Sequence, residues 1–467
     1  MMTQSPKNPQ TPFVPQASQK PLTPLENRSG FHGLGIAPKL VAILEQLNYT
    51  TPTPIQRQAI PVAVTGKDVV GIAQTGTGKT LAFGVPMIQR LSQSQGIGQG
   101  LIMLPTRELA LQVEEALQKF GRQLGLKTAV LIGGASMYAQ VQSLRRQPHI
   151  IVATPGRLVD HMEHKTVALN NIKIVVLDEA DRMFDIGFAP QIKRVLKLVP
   201  RERQTMLFSA TMPPAIAQMA AEFMSLPLRI EVAPAGTAAQ QVEQEIFIVP
   251  KEMKQQLLDK LLTDYHGSVL VFSRTKHGAK KINLAIRAMG HSSSEIHSNR
   301  TLAQRKESLL GFKTGKYRVL VATDIAARGI DVTGIELVIN YDLPDNSEDY
   351  VHRIGRTGRA GRNGTAVSFA APDQRMDIRS IERLIKKTIP ITALPVLPPR
   401  RSQPPQPAYE SRGGFNAHHR PDRFNSFQPR SVQRPVQRPA QRPGQRSDGN
   451  QPFPGNYPPR RKTFKRF

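Results

Sequence analysis

The sequence contains a glycine-rich segment of the kind that binds phosphate groups. It reads Ala73-Gln74-Thr75-Gly76-Thr77-Gly78-Lys79-Thr80. An apolar run precedes the segment and another follows it, which predicts a buried strand, a loop and a helix. Gly76 and Gly78 would let the backbone fold around a phosphate with its amides pointing inward, at the positive end of the helix. Lys79 would contact the β- and γ-phosphates and Thr80 would bind Mg²⁺, so the segment predicts a nucleoside triphosphate with Mg²⁺ as ligands.

Two acidic residues, Asp178 and Glu179, end another apolar run at residues 174–177. A phosphate-loop enzyme requires an aspartate at such a position to hold Mg²⁺, and a second acid to orient the attacking water. We therefore assign Asp178 to the metal and Glu179 to the water. Alone, the pair would fit a solvated acidic turn equally well, but the upstream phosphate loop favours the catalytic interpretation.

Two series of short apolar runs would position these groups. Such runs, alternating with amphipathic segments, are typical of parallel strands buried on both faces. The first series comprises residues 68–72, 101–104, 129–132, 150–153, 174–177, 206–208 and 228–232. The second comprises residues 246–249, 269–272, 295–297, 318–322, 338–340 and 366–370. We therefore expect two α/β domains with a cleft between them. Ligands of parallel sheets bind at the carboxyl ends of the strands, so we expect the chemistry to take place in this cleft.

Shifts in composition predict five segments in the 467-residue chain. We expect a disordered N-terminal segment, a first domain, a small-residue linker, a second domain, and a disordered tail rich in Arg, Pro and Gln. Their predicted bounds are 1–28, 29–232, 233–242, 243–390 and 391–467.

The charge of the chain favours a polyanionic partner. The formal net charge is +28, of which the tail, with 15 Lys and Arg against three Asp and Glu, supplies +12. That leaves +16 for the remainder, so both parts favour nucleic acid. The absence of cysteine excludes disulfides and thiolate metal sites. The sequence shows neither a secretory signal nor an apolar stretch long enough to span a membrane, so we expect a soluble, cytoplasmic protein.

The sequence resembles the DEAD-box ATP-dependent RNA helicases from Phe31 to Pro390. The segment that first shows the resemblance is Asp178-Glu179-Ala180-Asp181. Further matching segments occur in the family's order along the chain. They are Phe31 with residues 52–56, the phosphate loop at 73–80, and residues 105–110, 133–134, 154–157, 209–211, 271–275, 322–331 and 352–359. The resemblance implies two tandem RecA-like domains, with ATP and Mg²⁺ as cofactors and RNA as the partner. The loop also matches the family in having Ala73 where the general phosphate-loop pattern has glycine.

The resemblance implies a role for each group of residues. Those implied to bind the nucleotide are Phe31, Gln56, residues 73–80 and Asp331. Those implied to act in hydrolysis are Lys79, Asp178, Glu179, Arg356 and Arg359. Those implied to bind the RNA backbone are Thr106, Arg107, Gly134, Thr154, Arg157, Arg274 and Thr323. Those implied to couple hydrolysis to strand separation are Ser209, Thr211 and His352.

The sequence departs from the family pattern at two places. Asn48 stands before Tyr49 where the family usually has glycine, and Leu302 stands where it usually has glutamine, three residues before Arg305. We expect one polar contact of the Leu302 helix to be missing. We do not expect Gln304 to replace it, because Gln304 would lie on another face of the helix.

Three functions stay open at this point. The one we favour is an RNA-dependent ATPase whose two domains close on ATP and RNA and separate short duplexes, in the manner of bacterial RhlE-like members that act on ribosomal RNA. A DNA helicase and an ATP-dependent RNA clamp are the alternatives. The tail combines arginine with phenylalanine, and it contains Arg-Gly-Gly-Phe at residues 412–415, which favours an RNA tether over a merely solubilising end.

Overall fold

Two parallel β-sheets form the framework of the protein. The computed structural model describes residues 30–74, 76–93, 99–232, 242–327, 332, 334–358 and 364–399. The predicted N-terminal segment, nearly all of the linker, and the tail beyond residue 399 lie outside these residues. No helix in the described part combines the length and the apolar character that a membrane span requires.

The first sheet has seven strands in the order β3-β4-β2-β5-β6-β1-β7, and all of its neighbouring strands are parallel. The seven predicted runs are confirmed as these strands. Their bounds are β1 Val69–Ile72, β2 Gly100–Met103, β3 Thr128–Leu131, β4 Ile150–Ala153, β5 Ile174–Leu177, β6 Gln204–Ser209 and β7 Leu228–Glu231.

The second sheet repeats this arrangement with the order β10-β11-β9-β12-β13-β8-β14. Counted from its own first strand, this is the same order as in the first sheet, so the two domains are structural repeats. The strands are β8 Val242–Ile248, β9 Val269–Phe272, β10 Ser293–Ile296, β11 Val319–Ala322, β12 Leu337–Asn340, β13 Gly364–Ala370 and β14 Ile391–Thr392. The six predicted runs are confirmed, and the seventh strand, β14, is one that the sequence did not predict.

Helices connect the strands and cover both faces of each sheet. In the first domain they are α1 Pro38–Gln46, α2 Pro54–Ala63, α3 Lys79–Ser92, α4 Arg107–Gly121, α5 Met137–Arg145, α6 Pro155–Glu163, α7 Ala180–Asp185, α8 Ala189–Leu198 and α9 Pro214–Phe223. In the second they are α10 Lys254–Asp264, α11 Lys276–Ala288, α12 Leu302–Lys313, α13 Asp324–Ala327, α14 Ser347–Ile354 and α15 Arg375–Ile385. Each sheet separates two apolar clusters of buried residues. The central strands therefore bury every side chain, which is why they appear in the sequence as unbroken apolar runs.

The end of α1 explains the first departure from the family pattern. Asn48 has a φ angle of +62°, in the left-handed region. The Tyr49 amide donates a hydrogen bond to the Leu44 carbonyl at 2.9 Å, which closes the helix end. Glycine suits this conformation because it lacks a Cβ atom, and asparagine is among the few other residues that adopt it readily. Asn48 therefore preserves the turn.

The folded part of the second domain extends beyond the predicted end at Pro390. β14 pairs in parallel with β8, and Leu394 and Leu397 pack against an apolar cluster of the second sheet. The Gln256 side chain donates a hydrogen bond to the Pro398 carbonyl at 2.8 Å. The predicted tail therefore begins after residue 399. Prolines, which lack amide donors, make the composition of this segment similar to that of the tail. Its leucines are nevertheless packed.

We expect Leu397→Ser to destabilise the second domain, because it removes a partly buried apolar side chain from the core surface. The expected loss is about 1 kcal/mol of unfolding free energy, measured by urea denaturation. Val396→Ser is the matched control, since Val396 is 93% exposed. Equal effects of the two substitutions would show that the segment does not pack as described.

Candidate active site between the two sheets

The residues predicted for catalysis follow three neighbouring strands of the first sheet. The phosphate loop follows β1, the acidic pair follows β5, and Ser209 with Thr211 lies at the end of β6. Because β5, β6 and β1 are adjacent and parallel, their carboxyl ends bring these groups to one edge of the sheet.

The predicted RNA-binding residues of the first domain follow the other strands of the same sheet. Thr106 follows β2, Gly134 follows β3, and Thr154 follows β4. These strands are neighbours in the order β3-β4-β2. The residues predicted to bind the nucleotide and those predicted to bind RNA thus occupy two different halves of this edge of the sheet, which we call the nucleotide half and the RNA half.

The phosphate loop has the geometry that its glycines predict. Gly76 and Gly78 have φ angles of +89° and +88°, and Gly78 immediately precedes α3. Lys79 is buried, and its Nζ donates a hydrogen bond to the Ala73 carbonyl at 2.9 Å. Thr75 lies outside the described residues. The lysine is therefore held across the loop, next to the helix start where a phosphate would bind.

Gln56 connects helix α2 to the phosphate loop. Its Nε2 donates to the Gly78 carbonyl at 2.9 Å, and its Oε1 accepts from the Thr53 amide at 2.9 Å. A Cβ atom at Gly78 would collide with the Gln56 side chain, so this contact requires glycine there. Phe31 is 2% exposed and belongs to an apolar core cluster of the first domain. The roles of Gln56 and Phe31 in adenine binding stay predictions.

The acidic pair is buried and lacks full hydrogen bonding. Burial raises the pKa of Asp178 to about 6 and raises the pKa of Glu179 above its usual value, with Lys79 opposing both shifts. Glu179 has a left-handed φ of +51°, and its Oε2 has no hydrogen-bond partner among the described residues. The backbone of Glu179 is thus strained, and its side chain has a buried oxygen without a partner among the described residues. Such a group is suited to bind a water or a ligand.

Asp181 links the acidic segment to the end of β6. Its Oδ2 accepts hydrogen bonds from the amides of Ala210 and Thr211 at 3.0 and 2.8 Å, and from the Thr211 hydroxyl at 3.1 Å. Its own amide donates to the Ser209 hydroxyl at 3.1 Å. Ser209 and Thr211 are therefore hydrogen-bonded to the acidic segment, and their coupling role stays a prediction.

Residues of the second domain face this cluster across the cleft. Arg356 is 2% exposed, and its charge acts on Glu179. His352 lies close enough to Asp181 for their ionisations to interact, and burial lowers the pKa of His352 to about 4. The imidazole is therefore neutral at neutral pH. Arg359 and Asp331 lie outside the described residues, so their roles stay predictions.

An ion pair that the sequence did not predict joins the domains beside the RNA half of the cleft. Nη2 of Arg305, on α12, donates to Oε2 of Glu108, on α4, at 2.7 Å. Both side chains are buried. The partners are 197 residues apart, so no local pattern indicates the pair. Arg353, quoted without a role, is also buried and pairs with Asp324 within its own domain.

The predicted RNA-binding residues of the first domain converge on one loop. The Arg107 guanidinium lies against Gly133 and Gly134, close enough that a Cβ atom at Gly134 would collide with it. Nη1 of Arg157 donates to the Ala135 carbonyl at 3.1 Å. Two arginines and the start of α5 thus surround this loop, an arrangement suited to backbone phosphates.

The two predicted threonines of the first domain differ in their local bonding. The Thr106 hydroxyl accepts a hydrogen bond from the Leu109 amide at 3.3 Å and caps α4. Thr154 precedes α6 without a side-chain capping bond in the described structure. A hydroxyl that accepts still has a proton to donate, so both threonines retain a donor for phosphate.

The predicted residues of the second domain lie at equivalent strand ends. Arg274 follows β9 and Thr323 follows β11, which are neighbours in the order β10-β11-β9. Nε of Arg274 is 3.2 Å from an Asp345 carboxylate oxygen, and Nη2 donates to the Leu343 carbonyl at 3.2 Å. The Arg274 guanidinium therefore already has protein partners, which RNA would have to share or displace.

The fold and site define a two-domain phosphate-loop nucleoside triphosphatase. The DEAD/DEAH box helicase family matches residues 53–219, and the helicase conserved C-terminal domain matches residues 253–361. The chain is 41% identical over 368 residues to the DEAD-box ATP-dependent RNA helicase CshA of Bacillus cereus, covering 79% of this chain and 70% of that protein. It belongs to the DEAD-box family of ATP-dependent RNA helicases.

Two further similarities support this assignment. The chain is 42% identical over 363 residues to the ATP-dependent rRNA helicase RRP3 of Debaryomyces hansenii, covering 77% of this chain and 76% of that protein. Its structure resembles that of S. cerevisiae Dbp5 bound to RNA and ADP BeF3, with a TM-score of 0.71 and 31% identity, covering 78% of this chain and 95% of that one. The predicted family, fold, ATP dependence and RNA partner are confirmed.

We expect Asp178→Asn to abolish ATP hydrolysis and yet to stabilise the protein at pH 8. The pKa of Asp178 is about 6 in the folded state against 3.8 ordinarily, so the cost of ionising this buried carboxyl grows as the pH rises from 3.8 to about 6 and is fully present above that. The expected gain at pH 8 is about 1–3 kcal/mol of unfolding free energy in the absence of Mg²⁺ and nucleotide.

The pH dependence distinguishes this cause from a general effect of the substitution. At pH 5 the folded-state carboxyl is largely protonated, so the gain measured by urea unfolding should be smaller than at pH 8. Asp373→Asn, at an exposed position, is the matched control and should change little. A gain at pH 5 equal to that at pH 8, or a loss at pH 8, would contradict the assignment of the pKa to Asp178.

Proposed function

We propose that this helicase hydrolyses ATP in response to RNA and uses closure of its two domains to separate short duplexes locally. The observation that carries the proposal is that Arg356, buried in the second domain, is near enough for its charge to lower the pKa of Glu179 in the first domain. Neither domain alone holds both groups, so hydrolysis depends on closure. RNA contacts divided between the same two domains would make closure depend on RNA as well.

The residues around the phosphate loop support a site for ATP with Mg²⁺. No cluster of three or more acidic, His or Cys side chains within the described residues could hold a metal. Mg²⁺ commonly binds through one or two protein groups and substrate phosphates, so here it would bind through the Thr80 hydroxyl, Asp178 and phosphate oxygens, and it would neutralise phosphate charge. The raised pKa values of the acidic pair fit this arrangement, because a cation would stabilise their ionised forms.

The protein groups divide the work of hydrolysis. Lys79 would hold the β- and γ-phosphates, and Glu179, with its free Oε2, would orient the attacking water and accept its proton. Arg356 would stabilise the charge that develops on the phosphoryl group. Arg359 is proposed for the same role from the sequence alone.

Duplex separation would follow from the shape of the closed cleft. The RNA halves of both sheets carry hydroxyls, amides and arginines, which contact phosphates and carry little sequence information. Closing the domains on one strand would bend it and break base pairs with the other strand. The Thr211 hydroxyl is hydrogen-bonded to Asp181, and the charge state of His352 interacts with that of Asp181. These two residues would couple hydrolysis to the interdomain contacts.

Ribosomal RNA is the substrate class we propose for the cell. The chain is similar to a protein named as an rRNA helicase, and its strongly basic charge suits a large structured RNA. Placement in the bacterial RhlE-like group stays a prediction.

We expect Glu179→Gln to abolish RNA-stimulated ATP hydrolysis, by at least roughly a hundredfold, because the amide cannot accept a proton from water. The measurement is phosphate release with no nucleic acid, with single-stranded RNA and with single-stranded DNA of the same sequence. Glu252→Gln, at an exposed position, is the matched control.

Each outcome of this experiment bears on the proposal. Stimulation by RNA alone supports it, and release of a labelled strand from a short duplex separates unwinding from clamping. Equal stimulation by DNA would contradict RNA dependence. A rate that is insensitive to nucleic acid would show that closure is not coupled to RNA.

We expect a chain ending at residue 399 to bind single-stranded RNA at least roughly tenfold more weakly at moderate salt, because it lacks the +12 tail. The salt dependence of binding should also become shallower, and kcat at saturating RNA should stay unchanged. A full-length variant with Gln at Arg434, Arg438, Arg442 and Arg446 keeps the length of the tail. Unchanged affinity and slope in both variants would refute the tether.

A further inference from the structure

We propose that Leu302 is a positioning residue that stabilises the closed arrangement of the two domains by an apolar contact requiring no nucleic acid. The inference rests on the closure mechanism proposed above and adds a determinant of how strongly closure depends on RNA. Leu302 is not among the residues assigned to the nucleotide or to RNA.

The apolar contact of Leu302 joins the second domain to the first. Leu302 is partly buried and packs against the apolar cluster that contains Leu109 and Ala110, the residues that follow Glu108 on α4. Every other side chain of that cluster belongs to the first domain, within residues 31–232. Leu302 is thus the one residue of the second domain, in the part of the chain described, that joins this core.

Local structure fixes the position of Leu302. Thr301 caps α12 by accepting a hydrogen bond from the Gln304 amide at 3.3 Å, and the Gln304 side chain accepts from the Thr301 amide at 3.0 Å. This capping box engages Gln304. The expectation that Gln304 would not replace the usual glutamine is therefore in accord with the structure.

Leu302 lies beside the interdomain ion pair. Arg305, three residues further along α12 and on the same side of the helix, bonds to Glu108. One face of a single helical turn thus presents an apolar contact to the core of the first domain and an ionic contact to α4. Leu310, further along α12, is 63% exposed, whereas Leu309 and Phe312 pack in a cluster of the second domain.

The two contacts respond differently to their surroundings. The ion pair must desolvate two charges when the domains close, which offsets much of its attraction. The apolar contact is non-directional and gains free energy as area is removed from water. Burying one side of a leucine is sufficient to shift a closing equilibrium by roughly fivefold. Leu302 should therefore favour closure with ATP alone.

A glutamine at this position would reverse that effect, since its amide would be moved from water to the edge of an apolar cluster. Closure would then depend more on RNA. Leu302 should accordingly raise the RNA-independent rate of hydrolysis and lower the ratio by which RNA stimulates it.

The test compares Leu302→Gln with Leu310→Gln, the same change on the same helix at an exposed position. Because the chain has no cysteine, E202C and R379C at exposed positions allow one dye on each domain. We would measure energy transfer between the dyes with a non-hydrolysable ATP analogue, without RNA and with saturating RNA.

The expected result is a roughly fivefold smaller closing constant for Leu302→Gln without RNA, with a similar fall in RNA-free ATP hydrolysis. The rate at saturating RNA should stay within about twofold of the parent rate, because RNA binding supplies the missing closure. Leu310→Gln should match the parent, and Leu302→Met should restore most of the effect since it is again apolar.

Two results would overturn the inference. One is unchanged energy transfer without RNA in Leu302→Gln. The other is an equal loss in Leu302→Gln and Leu302→Met, since Met keeps the apolar contact. Failure of the proposed function is distinct, because the parent protein would then show no stimulation by RNA, whereas the energy-transfer comparison still reports closure.

Discussion

The burial of two neighbouring carboxyl groups is the constraint on which the active site depends. Asp178 and Glu179 are removed from water, and the charge of Lys79 opposes their raised pKa values most strongly. Such a pair is stable in its ionised form only when further positive charge arrives. A bound cation would supply part of it, and Arg356 supplies another part from the second domain. In the proposed mechanism, closure of the cleft would therefore also add a stabilising positive charge at Glu179.

The parallel sheet gives this constraint a place in the fold. Both domains have the same strand order, and in each the carboxyl ends divide into two groups of three neighbouring strands. In the first domain one group carries the phosphate loop and the acids, and the other carries the loops around Arg107. Asp181, hydrogen-bonded to the end of β6, lies in the nucleotide half and faces His352 across the cleft. Arg305 of the second domain bonds to Glu108 on the helix that follows β2, so contacts of the second domain reach both groups of strands.

The sequence predicted what is local and could not predict what is distant. The buried strands appear as apolar runs, and the phosphate loop and acidic pair appear as spaced residue types, so thirteen strands and the catalytic groups could be predicted. β14 could not, because it is only two residues long and the prolines on both sides of it resemble the tail. The Arg305–Glu108 pair could not either, since only the tertiary fold brings the two together. Leu302 departs from the family pattern in the sequence, but the core cluster of the first domain that it packs against is brought to it only by the tertiary fold.

The contacts across the cleft differ in what they require. Arg356 with Glu179, and Arg305 with Glu108, place charges in a buried setting, so their net contribution depends on solvent exclusion and on the ligands present. Leu302 requires only that water leave the surface it covers. Because its contact lies apart from the catalytic groups, a change of side chain there can shift the balance between open and closed domains without altering the chemistry. Apolar positions at the edge of such a cleft can therefore set how strongly an RNA-dependent ATPase relies on its RNA.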